Sequence, residues 1–353
     1  MTRESRTSRS RPIRAFIGLA ALLLFILALE MMKCGANSLA PVLRGHLAID
    51  NAADSLGLGW MMACVVLSGS PAAAIAMALL SAGTLTQLQA YTMVTGSRLG
   101  ASLIVLLIGF VYAIRGHERW TVLSTGVLSL LLTASVQIPS IFVGALILNR
   151  PWLSAVDWPW VARLSVGINA ILDPLMSPIT AVLPDWALFV VGGVVVTASL
   201  QLFDKALPQL RFQRAGLHRP SRLVYRPIIM FLLGLAVTLL TLSVSVSIGL
   251  LVPLSARGYV RRENIMPYIL GANISTMIDT LAAALLLGAP QAVVVVVAHM
   301  ISAVVVSLPI VILAYGPYER IMSRALDWTM ISRRNLAVLM GVFFLVPIVL
   351  ILS

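Results

Sequence analysis

Five serines, one arginine and one aspartate carry much of the polar chemistry that this chain places inside apolar segments. Ser68 and Ser70 interrupt the run Leu58 to Ala82, and Ser243, Ser245 and Ser247 interrupt Ile228 to Leu254. A serine hydroxyl is a short neutral donor. The start of a half-helix adds free N–H groups and partial positive charge, which together suit an oxyanion stripped of its water. The competing reading is that serine in an apolar helix bonds its own i−4 carbonyl or packs against a neighbouring helix. Arg98 lies about eight residues into a span, near the midplane of a ~20-residue helix. A guanidinium there costs at least ~2.5–3.5 kcal/mol on insertion scales. Asp279 lies at similar depth in a later span. Either the two pair, or Arg98 holds an anion while Asp279 takes a cation or proton. His299 and Glu30 are the other ion-coupling candidates. His299 serves either a helix–helix hydrogen bond or a proton-linked step, and Glu30, three residues from Lys33, either couples an ion or pairs with that lysine. Lys33 itself has the length to snorkel to the interface.

These residues fall on a duplicated frame. The segment Ser68 to Ser102 returns as Ser243 to Met277 without a gap: 243−68, 258−83 and 271−96 all give 175. The matching positions are serines and glycines that puncture apolar runs. A duplicated, polar-interrupted hydrophobic unit is the pattern of a secondary transporter built from two repeats, with its site where they meet.

The chain has 353 residues, 59% of them hydrophobic and 11% charged, with a mean hydropathy of +0.98. A soluble domain carries about 25% charge, so the composition is that of a polytopic membrane protein without a sizeable soluble domain. The net charge of +12 reads as an excess of Lys and Arg in cytoplasmic loops rather than as a nucleic-acid surface. No signal peptide is expected, because the apolar run after the basic segment Met1 to Arg14 is long enough to be retained as a span. Cys34 and Cys64 fit neither a metal spacing nor a disulfide framework.

Spans are expected at Ala15 to Met32, Ala90 to Ile114, Trp120 to Leu148, Ala187 to Phe203, Ile265 to Leu287, Ala292 to Tyr315 and Ala337 to Leu352. The two broken segments are expected to be re-entrant hairpins, since each half falls short of the ~20 residues a crossing needs. Asn149 to Asp185 reads as a connector with Trp152, Trp158, Trp160 and Trp186 near its ends, as at a membrane interface. Treating both broken segments as hairpins puts the loops Arg115 to Arg119, Lys205 to Arg226, Arg257 to Glu263 and Glu319 to Arg334 on the side of the N-terminus. The alternative moves the six basic residues of Lys205 to Arg226 outside, against the positive-inside bias. The hairpin topology also makes the repeats inverted.

At this point the chain resembles the sodium/phosphate cotransporter (Na+/Pi symporter) family, whose repeats carry Gln-Ser-Ser-Ser followed by Gly-Ala/Ser-Asn-Ile-Gly-Thr. The matching residues here are Leu242-Ser243-Val244-Ser245 and Gly271-Ala272-Asn273-Ile274-Ser275-Thr276, with Phe25 to Met32 similar to the opening helix and Ala298-His299 to a later Ala-His motif. The resemblance covers roughly Ala15 to Ile114 and Ala187 to Tyr315, and implies substrate roles for Asn273, Ser275 and Thr276 beside the serines and Arg98. Departures are Leu67 and Leu242 for the glutamines, Gly69 and Val244 for the central serines, Arg98 for an asparagine, and Ala303 for another.

The resulting expectation is an all-α polytopic protein with two inverted repeats, about seven spans and two hairpins. Its parts are a basic cytoplasmic tail (1–14), repeat 1 (15–148), an extracytoplasmic connector (149–185), repeat 2 (186–335) and a terminal helix (336–353). The expected function is transport of an inorganic anion, foremost phosphate, with Na+ or H+ as coupling ion and no other cofactor, in the cell membrane. The alternatives are another oxyanion, a phosphorylated lipid, or a binding protein that no longer transports. No enzyme is expected, because the carboxylates and histidines are scattered and no nucleophile elbow or metal spacing occurs. Partners are the anion and membrane lipid, not nucleic acid; the oligomeric state stays open.

Overall fold

The computed structural model describes residues 10–45, 50–114, 119–150, 159–206, 226–241, 247 and 262–352. Every element among them is a helix. In chain order these are α1 (Ser10–Gly45), α2 (Ala52–Val66), α3 (Gly69–Ser81), α4 (Gln87–Ala101), α5 (Leu103–Ile114), α6 (Arg119–Leu148) and α7 (Pro159–Val182). They continue with α8 (Asp185–Ala206), α9 (Pro227–Thr241), α10 (Arg262–Ser275), α11 (Met277–Leu286), α12 (Pro290–Ile312), α13 (Tyr315–Ile331) and α14 (Arg333–Leu352).

Seven stretches are long and apolar enough to cross a membrane: Phe16–Leu39, Gln87–Ile114, Leu123–Leu148, Asp185–Phe203, Glu263–Leu286, Pro290–Ile312 and Arg333–Leu352. They match the seven expected spans to within several residues at each end. The outward surface agrees with a lipid solvent, since Phe16, Phe142 and Leu240 are about 70% exposed. α2, α3 and α9 are apolar but shorter than a crossing. The remainder of the second broken segment, with Ser243 and Ser245, lies outside the described residues.

Local chemistry explains the breaks. Asn51 caps α2, accepting from the Ala53 and Asp54 N–H groups at 2.7 and 3.0 Å, while Asp54 accepts from the Asn51 N–H at 3.1 Å. Thr86 and Gln89 form the same reciprocal box at the start of α4. α2 stops at Leu67, whose φ of 56° is left-handed. It is the only described non-glycine residue with positive φ. A left-handed leucine costs roughly 1–2 kcal/mol, and Pro71 four residues on helps to start a new helix rather than extend the old one. α3 is then almost wholly buried, from Pro71 to Leu80.

Three differences from the sequence reading have physical causes. Two crossings are each two helices joined by one residue, Ser102 between α4 and α5 and Thr276 between α10 and α11; both joints keep right-handed dihedrals, so the chain continues onward. The stretch read as a connector holds α7, whose Leu172 and Met176 are buried against Met31 of α1 and Leu188 of α8. The loop read from Glu319 to Arg334 lies largely in α13, a helix too polar to cross but with Leu326 and Thr329 buried.

The 175-residue shift also relates the bounds and close contacts of several described helices. It carries the bounds of α2, Ala52–Val66, onto those of α9, Pro227–Thr241, and Gln87 at the start of α4 onto Arg262 at the start of α10. It carries contacts as well. A methyl group on Gly59 would strike Met93 of α4, and one on Gly234 would strike Tyr268 of α10; Gly96 is likewise pressed on Leu56 and Gly271 on Phe231. All four pairs obey the shift. The start of α1, Ser10, maps onto the start of α8, Asp185, and these two helices pack along their length. They run antiparallel. Gly18 faces Ala206, Gly192 faces Ala28 and Met32, and Gly35 faces Asp185 and Phe189.

Candidate functional site

The site is built from the inner faces of α4, α6, α11 and α12. Tyr91, Thr95 and Arg98 of α4 and the joint residue Ser102 recur at intervals of four, three and four residues, which places them on one face; all four are buried. Arg98 is 6% exposed. Its Nη2 donates to Thr280 Oγ1 at 2.9 Å and lies 3.8 Å from Asp279 Oδ1. Asp279 sits in the first turn of α11, where the helix dipole favours a carboxylate. It also accepts from the Thr280 N–H and hydroxyl. Of the two arrangements open from the sequence, the structure has Arg98 and Asp279 within ion-pair distance of each other. The Arg98 Nε–H has no partner among the described residues.

One turn back on α4, Thr95 Oγ1 donates to the Tyr91 carbonyl at 2.9 Å and contacts His299 Nδ1 at 3.3 Å. Tyr91 donates to the Ser140 carbonyl at 2.5 Å and lies 2.8 Å from Ser302 Oγ, whose single proton is within reach of both the Tyr91 oxygen and the His299 carbonyl. Tyr91 thus ties α4 to both α6 and α12. α6 adds a second stripe, Ser129, Thr133, Gln137 and Ser140, again on one face and fully inside. Ser129 Oγ, Ser140 Oγ, both amide atoms of Gln137 and His299 Nε2 have no partner among the described residues. Polar side chains buried in a membrane protein and left unpaired are costly, and such groups call for water, an ion or a substrate.

The remaining candidates divide. Asn273 donates to Thr133 at 3.2 Å and so joins α10 to the α6 stripe. Ser275 and Thr276 bond their own helix, to Ala272 and Asn273 carbonyls. Ser68 and Ser70 are half-buried at the start of α3; Gly69 between them lies against the Ser97 carbonyl and Ala101 of α4, beside Arg98. Neither serine hydrogen-bonds Asn273. Ser247 closes a separate cluster, accepting from Thr238 at 2.6 Å and bonded to Tyr268 at 2.8 Å. Glu30 pairs with Lys33 at 3.4 Å on α1, apart from the Arg98 cluster. Ser243 and Ser245 lie outside the described residues.

Thr95, Thr280, Tyr91, Gln137, Ser140 and Ser302 were not singled out from the sequence. The helical intervals of the α4 and α6 polar residues were a signal that could have found most of them. Thr280 had none beyond its adjacency to Asp279. No family model, curated protein or solved structure matches this chain.

Proposed function

We propose that the chain is a secondary transporter of an inorganic anion, foremost phosphate, built from two inverted repeats in the cell membrane with its N-terminus cytoplasmic. The observation that carries this is Arg98: a guanidinium buried inside a candidate span, 3.8 Å from Asp279, with one N–H that has no partner among the described residues. Such a group is kept inside a membrane protein at a cost, and an anion is what repays it. The antiparallel packing of α1 on α8, which the repeat shift exchanges, supports the inverted arrangement. The α2–α3 pair supports the first hairpin, with Gly69 at the start of α3 packed against Ser97 and Ala101 of α4. The resemblance to the sodium/phosphate cotransporter family points the same way.

Arg98 also bears on coupling. It stands where the family has an asparagine, and a fixed cation disfavours a bound sodium ion nearby. Coupling then passes through Asp279 or His299 as a proton, with no cofactor and no enzymatic step. Uptake of radiolabelled phosphate into proteoliposomes, with and without a sodium gradient, tests the reading. Uptake that needs no sodium agrees with it; strong sodium stimulation overturns the coupling, and phosphate binding without uptake makes the chain a binding protein.

A further inference from the structure

The hydrogen-bond network fixes more than the presence of a charge. Thr95 has one hydroxyl proton, and it goes to the Tyr91 carbonyl at 2.9 Å. With that proton on the carbonyl, the 3.3 Å contact with His299 is completed by the tautomer whose proton sits on Nδ1 of the imidazole. A neutral ring suits this fully buried position, where an imidazolium would be a second positive charge with no carboxylate in contact among the described residues. Nε2 therefore holds a bare lone pair, and it has no partner among the described residues. One turn along α4, the Arg98 Nε–H is a bare donor. A donor carried by Arg98 and an acceptor set by Thr95 stand on one face of one helix, both sealed from solvent.

We infer that this pair selects a tetrahedral oxyanion that still carries a proton, with an anionic oxygen accepting from Arg98 and a hydroxyl donating to His299. The inference rests on the anion reading above and narrows it. At neutral pH phosphate and arsenate keep at least one proton, whereas sulfate keeps none. Sulfate would point an oxygen lone pair at the Nε2 lone pair, leaving two buried acceptors face to face. Sites that hydrogen-bond a substrate hydroxyl reject analogues lacking it by large factors, so phosphate should bind at least about 100-fold more tightly than sulfate.

The test is calorimetry on the purified full chain in detergent at neutral pH, with inorganic phosphate, arsenate and sulfate. Tight binding of phosphate and arsenate with weak binding of sulfate is expected. Equal binding of sulfate and phosphate overturns the proton requirement but leaves the anion reading standing, and binding of none of the three overturns both. These comparisons need no variant. His299→Phe keeps the ring volume and removes the acceptor, so it should weaken phosphate binding selectively and bring the two anions together. Full discrimination in a variant whose melting temperature is unchanged removes His299 from the role. Competition by short-chain phosphatidic acid at mildly acidic pH, where the monoester still holds its last proton, separates the source: displacement assigns a lipid headgroup, and its failure assigns the free ion.

Discussion

At the scale of single residues, the balance between Arg98 and Asp279 decides how the interior holds together. Removing one partner of a buried pair leaves an uncompensated charge, which costs about 3–5 kcal/mol. Asp279→Asn should lower the melting temperature of the purified protein by a correspondingly large amount. Replacing both, as Arg98→Met with Asp279→Leu, should restore most of that stability and abolish anion binding, since an apolar pair of similar volume is tolerated where a lone charge is not. A double variant that stays as unstable as Asp279→Asn would show that the charge pair is not the cause. The depth of Arg98 and Asp279 was legible in the sequence because an ionisable residue in an apolar run is conspicuous. Thr95, Gln137 and Ser140 were harder to see, since isolated hydroxyls and one amide in a span look like packing until a neighbouring helix shows what they face.

At the scale of elements, the close contacts of α2 on α4 and of α9 on α10 depend on four glycines. A methyl group at Gly59, Gly96, Gly234 or Gly271 would meet main-chain atoms of the facing helix. Each change to alanine should destabilise by about 1–3 kcal/mol or more. Gly167 on α7 has nothing within reach, so Gly167→Ala should be neutral or stabilising by roughly 0.5–1 kcal/mol. Thermal melts of the five variants check this, and a mild effect at Gly59 beside a severe one at Gly234 would deny that the two contacts are equivalent. Leu67→Gly should relieve the left-handed turn before α3 and stabilise by about 1 kcal/mol. On α13, partial burial and then the charge of Glu263 raise the Glu319 carboxyl above its usual range. An acid raised on folding binds its proton more tightly in the native state, so its contribution is present at low pH and is lost as pH rises through the folded value. Glu319→Gln should therefore gain stability over the parent as pH rises past the carboxylate range. The single-residue joints at Ser102 and Thr276 escaped the sequence reading because neither contains a proline or glycine to mark it. α7 escaped it because its prolines, Pro174 and Pro178, read as loop.

At the scale of the whole molecule, the seven candidate spans were legible in the sequence, because they depend on long apolar runs rather than on any one boundary. Sidedness remains a matter of charge bias. Cysteines introduced at Gly216 and Gly258, in a background with Cys34 and Cys64 replaced by serine, should label from the same face. Labelling from opposite faces would end the hairpin topology. The antiparallel seam of α1 and α8 has a consequence of its own. Shifting Gly18 and Ala206 by 175 residues exchanges them for Gly193 and Met31, one residue from the observed contact of Gly192 with Met32. The seam is thus nearly its own image, like the isologous interface of a homodimer folded into one chain.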